Sequence, residues 1–171
     1  WKAYLHDVEV VQWFAALNRA CSLDESCKGM KWKAIDRFDT VHNCVAKLPD
    51  GTPLLRKGAV SAQQGERLLI PTNMKEGMLL CEGRGNPDWN FSAPHGAGRI
   101  YRRDQVKEHF TVSDYKREMK GIYSTCISRD TLDEAPFAYR SEADIMEPLD
   151  VTVSNRKLLR PVHNFQTGGN L

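Results

Sequence analysis

Ser92-Ala93-Pro94-His95-Gly96-Ala97-Gly98-Arg99 decides how the rest of the chain is read. Small residues let a backbone approach a phosphate closely and turn its N–H groups inward. A neutral imidazole is nucleophilic, and its ordinary pKa lies near neutrality. An arginine grips phosphate oxygens in a bidentate manner. These parts together suit attack on a phosphoryl group. Taken alone, the run is more often a glycine turn beside a solvent-exposed histidine, because short glycine motifs are common.

The pattern around the run predicts a mixed α+β chain. Arg67–Ile70 and Met78–Cys81 read as two buried strands joined by a loop over Pro71–Gly77, and Trp89–Ala93 leads into His95. A helix is expected over Asp104–Phe110, and Ser113 or Asp114 is placed to cap another through Met119. Ile122–Cys126 reads as a strand. Ser141 opens a helix with Ile145 and Met146 inward, and Lys157–Phe165 reads as a final strand.

Towards the N-terminus, residues 2–20 carry Leu5, Val8, Val11, Phe14 and Ala15 at helical spacing. Ser22 and Glu25 form a capping-box pattern for a second helix towards Ile35, with Leu23, Cys27 and Met30 on its apolar face. Core packing is the expected role of both stripes. Val41–Val45 alternates, Pro49-Asp50-Gly51 marks a turn, and Leu54-Leu55 and Ala59-Val60 flank Arg56-Lys57-Gly58. The expected fold is therefore α+β, with packed, mostly antiparallel sheets and flanking helices.

The 171 residues suffice for one domain with a core. The net charge of +2 announces no nucleic-acid binder, so any basic footprint is local. No apolar run approaches the roughly 18 residues of a membrane helix, and no leader is visible, which points to a cytoplasmic protein. Five scattered cysteines without a CxxC pair suggest free thiols rather than disulfides or zinc. The chain starts at Trp1 and runs straight into a helix, so it is read as a piece of something longer.

His95-Gly96-Ala97-Gly98-Arg99 keeps company in a fixed order. His42-Asn43, Arg56-Lys57-Gly58-Ala59 and Ile70-Pro71-Thr72-Asn73-Met74 precede it. Arg102-Arg103 and Leu132-Asp133-Glu134-Ala135-Pro136-Phe137-Ala138-Tyr139 follow. This set resembles the RtcB family of RNA ligases, which join RNA 3′-phosphate (or 2′,3′-cyclic phosphate) and 5′-hydroxyl ends, and the resemblance runs over essentially the whole chain. It implies an RtcB-like partial domain, residues 1–171 being the C-terminal portion of a single ligase domain. The family's metal-binding Asp-x-Gly-Cys-Gly-Met block has no counterpart here and belongs to an absent N-terminal half.

The resemblance also implies roles. His95 would take GMP from GTP as a covalent adduct and pass it to an RNA 3′-phosphate. His42 would bind manganese, which accepts mixed nitrogen and oxygen ligands, and would line the nucleotide pocket with Asn43. Pro71, Thr72, Asn73 and Met74 stand in the nucleotide loop, and Gly96, Ala97 and Gly98 form a phosphate cradle. Lys57, Arg99 and Arg103 would position RNA phosphates, with Arg56 and Arg102 adding charge. A lone strand histidine such as His42 is otherwise more often structural, and a basic cluster more often a solvated face.

The chain departs from the family in places. Thr72-Asn73 and Met78 stand where the family has Gly-Ser and a second serine, and serine is usual at Arg102. Gln166 stands where a nucleotide-contacting lysine is usual, which implies weaker use of GTP rather than none. The other reading is a phosphate- or RNA-binding module without chemistry. His6, His109 and His163 have no motif around them and are expected to be surface or structural.

Overall fold

A computed structural model describes residues 1–48 and 50–165, and of Pro148 the backbone only. The chain splits into two compact units, Trp1–Val60 and the part from Ser61 onward. Its elements are helices and mainly antiparallel strands, the α+β class that the pattern predicts.

The first unit opens with α1, a single helix over Lys2–Gly29. The expected break at Ser22 does not occur. No glycine or proline stands between Lys2 and Lys28, and a serine inside a helix costs only about 0.5 kcal/mol, so the helix runs on. It ends at Gly29, and Lys31 then turns left-handed with φ 57°.

No α1 residue is buried, which corrects the expectation of core packing. Trp13 and Phe14 are 67% and 64% exposed, and Leu23 and Met30 are exposed as well. Leu5, Val8 and Ala15 are half-buried, and the hydrogen bonds and ion pairs α1 makes within its own unit come from polar residues. Gln12 accepts from the Val45 N–H at 2.7 Å, Glu9 pairs with Lys47 Nζ at 2.6 Å, and Arg19 pairs with Asp39. Strands β1 (Asn43–Lys47) and β2 (Pro53–Lys57) form an antiparallel hairpin with Val45 opposite Leu55. Its turn is the expected one. Gly51 takes φ 82°, and Asp50 Oδ1 accepts from the Thr52 N–H at 2.9 Å. A short strand, β3 (Ala59–Ser61), leads out of this unit.

The second unit holds a three-stranded antiparallel sheet. β4 (Arg67–Pro71) pairs with β5 (Met78–Gly83), which pairs with β8 (Val153–Leu159). Leu68 lies opposite Cys81 and Ile70 opposite Leu79, all four fully buried. Two-residue periodicity puts them on one face. Each large aliphatic chain so buried contributes about 1.5–3 kcal/mol. Burial pushes the Cys81 thiol up to about 11, which makes it an inert packing group rather than a nucleophile.

A second core lies beneath the segments that follow His95. β6 (Ser92–Pro94) leads into the glycine run, and α2 (Arg103–His109) and α3 (Val112–Glu118) come next. The cap of α3 is Thr111, not Ser113 or Asp114, and Asp114 completes a capping box with it. Val106 of α2, Tyr115 of α3 and Met119 pack with Met74, Cys126, Leu132, Ala135 and Ala138. Phe110 and Phe137 stack on each other with ring centroids 4.0 Å apart and pack against this cluster.

Residues Ile122–Cys126 supply only a two-residue strand, β7 (Tyr123–Ser124). Helix α4 (Glu142–Leu149) starts at Ser141 as expected, with Ile145 buried and Met146 half-buried. The expected final strand is two pieces: β8 stops at Leu159, and β9 (His163–Asn164) pairs in parallel with β7. Pro161 separates them, since proline cannot donate to a ladder. Gln166 and the tail after it lie outside the described residues. No helix among the described residues is long and apolar enough to cross a membrane.

Candidate active site

The second unit carries an open cleft of about 1000 Å³. His95, Gly96, Ala97, Gly98 and Arg99 line it, and so do Pro71, Thr72, Asn73 and Met74. Arg103 joins from the start of α2, and Glu134 and Tyr139 from the segment beyond α3. Residues spread over about a hundred positions of sequence thus meet around one space. His42, Asn43, Arg56 and Lys57 belong to the first unit. There the His42 carbonyl accepts from the Gly58 N–H at 2.9 Å, and Asn43 Oδ1 accepts from the same N–H at 3.1 Å. Arg56 is buried and Lys57 exposed.

The loop between β4 and β5 is built by its own polar groups. Asn73 Oδ1 accepts from the backbone of Lys75 and Glu76, and its Nδ2 donates to Glu76 Oε2 at 2.8 Å. Glu76 Oε2 also accepts from the Glu142 N–H. Thr72 Oγ1 donates to the Gly77 carbonyl at 2.8 Å. The Met74 side chain is buried, with Sδ accepting from Tyr115 OH at 2.9 Å. These side chains hold the loop in shape, which leaves the backbone as its means of meeting a ligand.

Glycine is needed at Gly96 for space. A Cβ there would stand 2.9 Å from the Pro71 carbonyl oxygen, closer than real Cβ atoms come. The glycine therefore lets the His95 run close onto the end of β4. Gly98 has φ 76°, a region that favours glycine, and no neighbour within 4 Å of such a Cβ.

Arg99 is fixed rather than loose. Its Nη1 donates to the Asp133 carbonyl at 2.6 Å, and its Nη2 to Glu134 Oε1 and Tyr139 OH at 2.7 Å each. Tyr139 OH donates onward to Glu134 Oε2, and Arg103 pairs with Asp133 at 2.6 Å and with Glu134. Burial, then the Glu134 carboxylate, holds the Tyr139 phenol well above its ordinary pKa. Two cations are thus matched by two anions around one phenol. Arg102 points elsewhere, exposed and paired with Asp104 at 3.2 Å.

The model of the family described as tRNA-splicing ligase RtcB matches residues 1–169. This chain belongs to the RtcB family. It is similar to the RNA-splicing ligase RtcB1 of Escherichia coli, with 30% identity over 157 residues. That match takes in 84% of this chain and 38% of the relative. The RNA-splicing ligase RtcB of Escherichia coli K12 is 29% identical over the same shares. The tRNA-splicing ligase RtcB of Aeropyrum pernix is 35% identical over 97 residues, which is 54% of this chain and 20% of that protein. The chain therefore spans well under half the length of these RtcB relatives.

Sequence reading of this RtcB chain missed two features of the cleft. Asp133 and Glu134 sit in a block singled out for its order, but nothing local signals that they grip Arg99 and Arg103. His163 also lines the cleft, brought there by β9. The donors present, a glycine backbone, two arginines and a histidine, suit a phosphate group. A metal fits them less well. Among the described residues no three His, Cys, Asp or Glu side chains gather to hold an ion, so His42 offers at most one ligand.

Gly96→Ala tests the close approach. We expect a loss of about 1–3 kcal/mol in stability, the usual cost of overpacking, with weaker nucleotide use. Gly98→Ala meets no neighbour and loses only the conformational term, about 1–2 kcal/mol. Thermal unfolding and GTP titration of both variants are the measurements. A Gly96→Ala protein as stable as the parent removes the packing argument.

Proposed function

We propose that this chain forms the nucleotide-handling part of a GTP- and Mn²⁺-dependent RNA ligase. The ligase would join RNA 3′-phosphate, or 2′,3′-cyclic phosphate, to 5′-hydroxyl ends. An imidazole nitrogen of His95 bonds to the α-phosphorus of GTP as the bond to pyrophosphate breaks. The GMP passes to an RNA 3′-phosphate oxygen, the 5′-hydroxyl of the second end then attacks that 3′-phosphate, and GMP leaves. Arg99 and Arg103 counter the charge on the phosphates, and the backbone N–H groups of the glycine run supply neutral donors. Mn²⁺ would polarise phosphate oxygens when bound, with His42 as one ligand.

What carries the reading is that His95, Arg99 and the Pro71–Met74 loop line one cleft in an RtcB-family chain. The proposal extends to the full-length protein, with GTP and RNA as its substrates and a cytoplasmic setting. The test is joining of a 3′-phosphate RNA to a 5′-hydroxyl RNA, with and without GTP and Mn²⁺. Product that depends on both supports the reading. Absence of product together with nucleotide or RNA binding favours a non-catalytic module.

A further inference from the structure

The cleft has two characters. The His95 run, Arg99 and Arg103 give a polar part suited to phosphates. Met78, Leu159 and Val162 give an apolar part, and Met78 lies opposite Leu159 in the β5–β8 ladder. His163 also lines the cleft, with its ring centroid 5.0 Å from that of Tyr123 and the planes 51° apart. Tyr123 is 65% exposed and is not among the cleft-lining residues, so the aromatic surface continues beyond the cleft.

The pair is held firmly. The β7–β9 pairing sets Tyr123 opposite His163. Asn164 Nδ2 donates to the Met74 carbonyl at 2.6 Å, tying β9 to the nucleotide loop. An exposed aromatic pair that fills no core, fixed beside a cleft with arginines, is the arrangement single-stranded nucleic acids use. Bases stack on rings while cations meet the phosphates.

We infer that Tyr123 and His163 form a stacking platform for an unpaired base of the RNA end entering the cleft. The inference rests on the RNA-ligase reading and adds to it a site for the RNA strand. RNA is favoured over the bound mononucleotide because the platform extends past the cleft that would hold a single nucleotide. The basic side chains nearby, Arg103 and Arg160, suit a polyanion.

The experiment uses the full-length protein and a short single-stranded RNA with a 3′-phosphate and 2-aminopurine near that end. Quenching of the 2-aminopurine reports stacking, and titration gives affinity. Tyr123→Leu and His163→Ala should each weaken binding about tenfold and abolish quenching, whereas Tyr123→Phe keeps both. The dependence of affinity on salt should stay unchanged, because no phosphate contact is lost. Nucleotide labelling of His95 at a given GTP concentration should also stay unchanged in Tyr123→Leu, because Tyr123 lies outside the cleft lining. Wild-type binding and quenching in Tyr123→Leu and His163→Ala, with labelling intact in Tyr123→Leu, overturn the platform and leave the ligase reading standing. Failure of the parent to label and to bind RNA overturns both.

Discussion

His95→Ala is expected to abolish covalent attachment of GMP in the full-length protein incubated with labelled GTP and Mn²⁺. Removing a nucleophile that acts as part of a unit costs about 10³-fold or more in rate. Proximity deepens the loss, because water does not inherit the position of a held imidazole. The substitution should leave the fold intact. His95 is only half-buried, and the run that follows it is held by backbone bonds, from Ile100 N–H to the Ala138 carbonyl and from Arg140 N–H to the Gly98 carbonyl. Thermal unfolding should therefore shift by no more than a few degrees. A phosphoramidate is labile in acid and stable in alkali, which separates it from an acyl phosphate. Equal labelling of His95→Ala and the parent removes His95 from the role and favours the binding-module reading.

Much of the fold is legible because local rules agree with tertiary needs. The apolar runs in Arg67–Ile70 and Met78–Cys81, read as buried strands, become the Leu68–Cys81 and Ile70–Leu79 register of one buried face. The Asp50-Gly51 turn and the Ser141 cap follow from local hydrogen bonding alone. Misreadings come where context decides. Ser22 looks like a cap, but a cap stabilises only where the chain already leaves the helix, and nothing there makes it leave. Thr111 outcompetes Ser113 because its partner Asp114 sits at the third helical position. The apolar residues of α1 were expected in a core, and within the described unit Leu5, Val8, Ala15 and Cys27 are only half-buried and Val11, Phe14, Leu23 and Met30 exposed, while polar Gln12 and Glu9 make its hydrogen bonds.

The site divides in the same way. His95 and the arginine after it are visible in the sequence because the chemistry sits in one run. The Pro71–Met74 loop is visible only by resemblance. Its side chains turn out to be spent on the loop itself. His163 has no local signal, since it reaches the cleft through a two-residue parallel strand that Pro161 cuts from β8. Asp133 and Glu134 are more than thirty residues from Arg99. Carboxylates at that separation look like ordinary surface charge until the chain is folded.

Glu134→Gln should have the second-largest effect and should divide rate from binding. Glu134 holds Arg99 at 2.7 Å, Arg103, and the Tyr139 hydroxyl at once. Both guanidinium groups donate to Oε1 and the Tyr139 hydroxyl to Oε2, so a glutamine that keeps its oxygen on the arginines sets its N–H groups against the Tyr139 O–H, and that contact becomes donor against donor. Breaking a fully buried pair costs about 3–5 kcal/mol. Glu134 and Arg99 side chains are 25% and 22% exposed, so we expect a smaller cost of about 1–3 kcal/mol. If it falls on the positioning of Arg99 over the reacting phosphate, ligation slows about 5–150-fold. RNA affinity should move the other way. Arg99, Arg103, Asp133 and Glu134 together are neutral, and loss of one carboxylate leaves a net positive charge facing phosphates. Binding at low salt should tighten, with a steeper dependence on salt concentration. Glu134→Asp keeps the charge but shortens the reach, so it should keep the parent's salt dependence and recover part of the rate. A merely structural carboxylate predicts a different result: rate, affinity and thermal stability falling together, with Glu134→Asp no better than Glu134→Gln. That outcome removes Glu134 as the residue that positions the cleft's arginines.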